Sequence, residues 1–430
     1  SVEIVKTVLD VIISPLTKLI NTSIKTLTFP DCLKIANVLP IFKKGEPNEI
    51  SNYRPISLLP ILSKVLERIL MGQLCHYFEE KNVLCDNQFG FRPRLNTSKA
   101  ISDIVDEITN SFDKGIFTTI SFLDLTKAFD CVSHSILIRK LYFYNLHPTS
   151  CRLLSSYLCN RIQKVTVDGT SSNYLPVEYG VPQGSILGPL LFLVYINDLP
   201  SNIEDSKVIL YADDTTILNS SSSLNDCIDK SLEAQSKAKL WFDTNSLGMN
   251  VDKSVYMFLS LKTSATLNLG QANNALFLGI TIDDQLLWNA HGDTLAKKLN
   301  KNTYLLRQLS NNVSQKTLIV AYFAFFHSSI EYGNLVWGHS TCRHRIFALQ
   351  RRAVRIIAGL QYRDDCRSAF VELKILTVPS IFILHCLLHL KDNIGNYSKF
   401  TDIHLYNTGN KENLVPNSNR LKRVQTGTRY

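Results

Sequence analysis

Three acidic side chains, in two places, constrain this chain more than any other feature. Asp124 closes a β-branched and aromatic run, Phe117 to Leu125, after which Lys127 to Leu141 returns to helical spacing, so this acid falls where a strand ends. Asp213 and Asp214 interrupt a second run. Val208, Ile209, Leu210 and Tyr211 lead into them and Thr215, Thr216 and Ile217 lead out, which predicts a hairpin over Lys207 to Leu218 with two acids near its tip. Strands that pair in one sheet can bring together acids 213 − 124 = 89 residues apart. Such a cluster repels itself unless cations offset it, so it implies bound divalent metal. Two ions about 3.5 to 4 Å apart suit phosphoryl transfer, and Mg2+ fits because it keeps waters and accepts phosphate oxygens. An isolated Asp-Asp pair is ordinarily only a hairpin turn, so the surrounding motifs decide.

The rest of the chain is that of a folded protein of mixed structure. Of 430 residues, 45% are hydrophobic and 10% aromatic, while Gly and Pro total 18 + 14 = 32, which excludes disordered, collagenous and linker-like classes. Basic residues exceed acidic ones by 46 − 37 = 9, favouring polyanionic partners. Ten cysteines without a C-x-x-C pair, mostly among apolar neighbours, read as reduced core thiols of an intracellular protein. The longest apolar stretch, Leu190 to Ile196 with its flanks, is too short to span a bilayer.

Helices are expected where apolar residues recur at three and four. One runs from Ile61 to Leu74, behind Pro60; a second, capped near Thr97, carries Ile101, Ile104, Val105, Ile108 and Phe112. A turn-rich loop, Gly180 to Ser185, opens a helix that runs to about Leu199, and another helix from Leu224 is ended by Gly248. Strands follow at Val251 to Leu259 and Phe277 to Ile282. Beyond residue 290 the texture is helical. Seven arginines against two aspartates fall between Cys342 and Arg367, with Arg345, Arg351, Arg352 and Arg355 around the polar side of a helix from His344 to Ala358. Residue 1 is Ser, and Val2 to Ile24 has helical spacing without the features of a signal peptide, so the chain reads as an internal fragment.

Seven motifs in order carry a resemblance. Asp124-Leu-Thr-Lys-Ala-Phe-Asp130, Gly180-Val-Pro-Gln-Gly-Ser185 and Tyr211-Ala-Asp-Asp214 resemble motifs A, B and C of reverse transcriptases. Asn52-Tyr-Arg-Pro-Ile-Ser57 and Gln88-Phe-Gly-Phe-Arg92 are similar to the fingers motifs of non-LTR retrotransposon polymerases, and Leu247-Gly-Met-Asn-Val-Asp-Lys253 and Phe277-Leu-Gly-Ile280 to motifs D and E. Trp288-Asn-Ala-His291 and Leu349 to Ile357 resemble the jockey and chicken-repeat branches. The fold implied is α+β, a right-hand polymerase with fingers, a palm built on an antiparallel sheet and a helical thumb, plus a helical basic C-terminal segment. The implied division is an N-terminal helical extension over 1–23, a polymerase domain over 24–282, a thumb and basic region over 283–390 and a tail over 391–430.

Carried over position by position, the resemblance assigns metal binding and catalysis to Asp124 and Asp213, with Asp214 as the adjacent acid, and two Mg2+ as cofactor. Phe129 matches the bulky side chain that would collide with a ribose 2′-hydroxyl. Gln183 and Gly184 match the loop touching nucleotide and template. Lys44 and Arg54 lie where fingers residues reach the triphosphate, and Lys253 where a lysine offsets or protonates departing pyrophosphate. Lys297, Lys298 and Lys301, with the four arginines, would contact the template and primer phosphates. The implied function is an RNA-directed DNA polymerase working on template RNA, a DNA primer and dNTPs in target-primed retrotransposition, in nucleus and cytoplasm, with its nuclease expected N-terminal of these residues. The alternative is an inactive or adopted retroelement-derived RNA-binding protein.

Overall fold

The computed structural model describes residues 2–261, 272–403 and 413–415. Residue 1 and, within the tail expected over 391–430, residues 404–412 and 416–430 lie outside the described residues. Helix and strand are mixed along the chain, as an α+β fold requires. The described strands are β1 (Ile35–Phe42), β2 (Tyr53–Leu58), β3 (Phe117–Thr126), β4 (Arg161–Val167), β5 (Thr170–Ser171), β6 (Leu175–Val177), β7 (Lys207–Tyr211), β8 (Asp214–Ser221), β9 (Gly248–Leu259), β10 (Asn274–Phe277) and β11 (Ile280–Asp283). The chain divides into two compact units that do not follow its order: Ser1–Asn96, Phe122–Ile217 and Leu232–Ser254 form one, and Thr97–Ser121, Leu218–Ser231 and Val255–Tyr430 the other. Among the described residues no helix is long and apolar enough to cross a membrane.

The first unit is built around the helix Leu187–Ile196, which is apolar on every side and therefore has no face to offer water. All its residues but Pro189 are buried. The helices Ile61–Glu80 and His134–Phe143 pack on it. A sheet in the order β2-β1-β4-β5, with β6 also on β4, lies in the same unit; β1 and β2 are antiparallel and β1 and β4 parallel. A second sheet has the order β7-β8-β3-β9. The stretches of it that bear the acids, Phe122–Thr126 and Asp214–Ile217, belong to the first unit, together with β7 and Gly248–Ser254.

In the second unit the helix Thr97–Lys114 buries Ile101, Ile104, Val105, Ile108 and Phe112, the stripe its spacing predicts. The helix Asn289–Ser310 packs against Arg343–Ala358, burying Leu295, Ala296, Leu299 and Leu306 opposite Ile346, Ala353, Val354 and Ile357.

Four local expectations need correction. Helical spacing after Asp124 does not begin a helix at Lys127, because Lys127 takes a left-handed backbone (φ 47°); a short 3-10 turn Ala128–Asp130 follows, and the helix starts only at His134. The helix expected to reach about Leu199 ends at Ile196, and a 3-10 turn starts at Pro200, whose ring cannot continue an α-helix. Gly248 opens β9 rather than ending the preceding helix, which stops at Thr244 and is closed by Ser246 at φ 56° and by the Leu247 N–H donating to Phe242 O. Phe277 to Ile282 is not one strand: β10 ends at Phe277 and β11 begins at Ile280, with Leu278 and Gly279, both at positive φ, as the turn between them.

Candidate active site

The hairpin of β7 and β8 has the tightest loop a hairpin takes. β7 ends at Tyr211, β8 begins at Asp214, and Ala212 and Asp213 alone form the turn, with Ala212 in the left-handed region at φ 56°. A side chain at positive φ costs about 1 kcal/mol and must be held by its surroundings. Here the hold comes from Asn87 to Gly90. The Phe89 N–H donates to Leu210 O at 2.8 Å, the Leu210 N–H to Asn87 O at 2.8 Å, and the buried Gln88 Oε1 accepts from both the Ala212 N–H (3.0 Å) and the Gly90 N–H (2.8 Å). A Cβ on Gly90 would stand 2.5 Å from the Ala212 nitrogen, which is why this position is glycine. The motif Gln88 to Arg92 thus clamps the acidic turn.

Asp124, on β3, acts electrostatically on both Asp213 in that turn and Asp214 at the start of β8. Burial first, and then the charge of Asp124, hold the Asp213 carboxyl above the usual range, against the pull of its own backbone N–H, Arg54 and Lys43. Asp214 is pushed up to about 6 by desolvation, then by Asp213, then by Asp124. Its surface is largely open to solvent, so water offsets much of the desolvation and the two neighbouring charges are the firmer cause. Lys253 Nζ lies 3.8 Å from Asp124 Oδ2, and the Asp124 N–H donates to Ser254 Oγ at 3.3 Å. The Lys253 N–H in turn donates to Asn250 Oδ1 at 3.3 Å, fixing the backbone ahead of the lysine.

The strand register sorts the fingers cations. Ile41 pairs with Arg54 and Phe42 with Tyr53, and the Lys43 N–H donates to Asn52 O at 2.8 Å, so Lys43 and Arg54 share a face. Both charges act on Asp213, and Lys43 also acts on Asp130. Lys44 stands one residue further on, at the bend before Gly45 (φ 96°). Lys43 is the cation that motif spacing does not single out, and pairing register is the signal that selects it.

The loop Gly180 to Ser185 is held from two sides. Gly180 and Val181 donate to Val132 O and Phe129 O, each at 2.8 Å, while the Ser57 N–H donates to Gln183 O at 2.7 Å. A Cβ on Gly184, at φ 114°, would lie 2.8 Å from Ser57 O. Phe129 stacks on the buried Phe192, with ring centroids 4.6 Å apart and planes at 22°, and keeps part of its ring exposed. Behind the loop is Glu67, 0% exposed, a residue that no motif marks. Its carboxylate accepts from the Ile186 N–H (2.7 Å), the Leu187 N–H (3.2 Å), Ser63 Oγ (2.9 Å) and Tyr157 Oη (3.4 Å), so it satisfies N–H groups left open at the start of the core helix. Its place four residues after Ser63 and three before Leu70, on the apolar stripe of its helix, is the pattern that reveals it.

In the second unit, Lys297, Lys298 and Lys301 are exposed along Asn289–Ser310. The arginines are more engaged than a free cationic face. Arg345 pairs with Asp293, the Arg351 guanidinium lies 5.1 Å from the Phe347 ring centroid, Arg355 Nε donates to Asp364 O at 2.8 Å, and Arg352 is half-buried.

Among the described residues no three carboxylate, imidazole or thiol groups close into a ready-made metal cage. Mg2+ does not need one, since it binds through one or two carboxylates together with waters and substrate phosphates. Hard oxygen donors gathered closely enough for their charges to interact fit that ion.

A β-hairpin acid pair coupled to a third acid, with the charges of Arg54 and Lys43 acting on one of the pair, has the chemistry to take divalent metal together with phosphate oxygens. The chain belongs to the reverse transcriptase (RNA-dependent DNA polymerase) family, whose model matches residues 41–282. It is 33% identical over 388 residues to a probable RNA-directed DNA polymerase from transposon BS of Drosophila melanogaster, covering 85% of this chain and 43% of that protein. It is 28% identical over 369 residues to the RNA-directed DNA polymerase from mobile element jockey of the same organism, covering 81% and 40%. The chain therefore spans less than half the length of these curated relatives. Among solved structures, apo telomerase from Candida tropicalis aligns with a TM-score of 0.45 at 12% identity, over 82% of this chain and 62% of that one.

Proposed function

We propose that this chain is the polymerase part of an RNA-directed DNA polymerase, extending a DNA primer on an RNA template in target-primed retrotransposition. The observation that carries the reading is that the charge of Asp124 on β3 acts on both Asp213 and Asp214, adding to burial in raising their carboxyls. Asp124 and Asp213, with Asp214 beside them, would hold two Mg2+. When bound, these ions supply charge neutralisation and activation for attack of the primer 3′-hydroxyl on the α-phosphate of a dNTP, with pyrophosphate leaving. Arg54 and Lys44, joined by Lys43, would receive the triphosphate, and Lys253 would move from Asp124 to offset the leaving charge. Gln183 and Gly184 would meet the nucleotide and the template. Work on chromosomal DNA would place the protein in the nucleus. The experiment is elongation of a DNA primer on an RNA template by the purified chain with Mg2+ and dNTPs. Template binding without elongation would favour the adopted RNA-binding alternative instead.

Phe129, backed by Phe192, would exclude a 2′-hydroxyl. Forcing an extra heavy atom into a packed site costs about 1 to 3 kcal/mol, a factor of roughly 5 to 150. Phe129→Ala should therefore raise ribonucleotide insertion relative to deoxynucleotide insertion by about that factor in single-nucleotide assays; unchanged selectivity would refute the gate.

Nucleic-acid contact in the second unit falls first to Lys297, Lys298 and Lys301, with Arg345, Arg351, Arg352 and Arg355 as the neighbouring basic groups. Replacing the three lysines by alanine should reduce the slope of log affinity against log salt by about 2 to 3 in duplex titrations. An unaltered slope would leave these lysines as a solvated surface.

A further inference from the structure

The hydrogen bond from Gln183 Nε2 to Asp130 Oδ1, 2.9 Å long, joins the last residue of the Asp124 motif to the loop side chain assigned above to the nucleotide. The backbone of that loop is held at both ends and in its middle. Val181 is bonded to Phe129, Gly180 to Val132 and Ser57 to Gln183, and a Cβ on Gly180 would lie 2.8 Å from the Asp130 Cα. What remains variable is the carboxamide of Gln183, which can present either its NH2 or its oxygen to a given side. An ionised carboxylate accepts and never donates, so it takes the NH2 and turns Oε1 away from itself. The Asp130 backbone is itself held, because its N–H donates to Lys127 O at 2.8 Å; burial raises its carboxyl above the usual range, and the Gln183 bond and the charges of Lys127 and Lys43 oppose that rise and favour the ionised form.

We infer that Asp130 is a positioning residue for nucleotide selection: it locks the Gln183 amide so that a single polarity, the Oε1 acceptor, faces the incoming dNTP. This rests on the polymerase reading above. A charge-assisted bond of this kind biases the two amide orientations by roughly ten- to a hundredfold. In Asp130→Asn the partner can accept or donate, and the two orientations become nearly equivalent.

Single-nucleotide insertion kinetics on wild type, Asp130→Asn, Asp130→Glu, Gln183→Ala and the Asp130→Asn/Gln183→Ala pair test this. Asp130→Asn should raise KM for the correct dNTP about tenfold, leave kcat within about threefold and reduce discrimination against mismatched dNTPs by a similar factor to KM. Asp130→Glu should restore part of the loss. In the Gln183→Ala background the Asp130 substitution should change nothing further. Equal losses in both backgrounds, or a fall in kcat with KM unchanged, would overturn the inference while leaving the polymerase reading intact. If wild type fails to extend primers, the polymerase reading falls, and equilibrium binding of dNTP to the primer–template complex decides the same comparison without turnover. There Asp130→Asn should weaken binding about tenfold only when Gln183 is present, and no dNTP binding, or equal weakening in both backgrounds, would overturn it.

Discussion

Asp213→Asn should reduce primer extension on an RNA template by on the order of a thousandfold or more, while the variant melts no lower than the wild type. The two halves of this expectation have one cause. Asn matches Asp in shape, so the Ala212–Asp213 turn and its clamp from Gln88 are preserved, and only a negative charge is removed. That charge is unfavourable in the metal-free protein, where Asp213 itself is raised and helps to push Asp214 up to about 6. A carboxyl whose folded pKa lies above its unfolded value contributes stability that is full below about 4 and is lost as pH rises through about 6. Above pH 6 the wild type therefore carries a repulsion that Asp213→Asn relieves, and melting by circular dichroism at pH 7.5 should show an equal or higher Tm. The same charge is what a divalent ion and a triphosphate transition state require, and loss of a single preorganised electrostatic partner already costs about 10² to 10³ in rate. Full extension by the variant would separate the acid from the chemistry, and a variant that melts below the wild type would contradict the repulsion.

Removal of Glu67 should have the largest effect on stability. Glu67→Ala strips acceptors from the buried Leu187 N–H, Ser63 and Tyr157 and from the half-buried Ile186 N–H, and leaves a cavity beside the core helix. Buried donors left without partners cost about 1 to 3 kcal/mol each in favourable cases, and breaking a buried charged network costs about 3 to 5 kcal/mol altogether. For a unit of this size that is a fall in Tm on the order of 10 °C. Glu67→Gln keeps one oxygen acceptor at the helix start and should lose less. Because the same helix anchors Gly180 to Ser185, Glu67→Ala should also weaken dNTP use at temperatures where the protein stays folded. A Tm within about 2 °C of wild type would show that solvent replaces the carboxylate, contrary to its burial.

Much of this site can be read from spacing alone, and the part that cannot has physical reasons. The strand end at Asp124 and the hairpin around Asp213 and Asp214 are visible because β-branched runs and turns are local properties. The sheet of β1, β2 and β4 to β6 is not visible in the same way. Its parallel pairing of β1 with β4 joins residues such as Ile35 and Ile162, and nothing near either sequence announces the partner. Register follows from that pairing, so the preference for Lys43 over Lys44 beside Arg54 could not be settled from the Lys-Lys pair itself. Lys127 and Ser246 defeat helix-end rules because ordinary residues take positive φ there, within locally hydrogen-bonded turns: the Asp130 N–H donates to Lys127 O, and the Leu247 N–H to Phe242 O. Glu67 is hidden by its charge, which suggests a wet surface, although the periodicity of its helix points inward. The arginines after Cys342 show the converse: a cationic face by count, of which Arg345 and Arg355 are spent on Asp293 and Asp364.

Titration of Mn2+ into the metal-free chain, followed by electron paramagnetic resonance at pH 7.5 and at pH 5, measures most directly whether the three acids form one cation site. Wild type should bind Mn2+ at pH 7.5, and binding should weaken by at least about tenfold at pH 5, where Asp214 carries a proton, and by a similar factor in Asp124→Asn and Asp213→Asn at pH 7.5. Identical Mn2+ binding by all three proteins, independent of pH, would contradict a shared site and with it the polymerase chemistry.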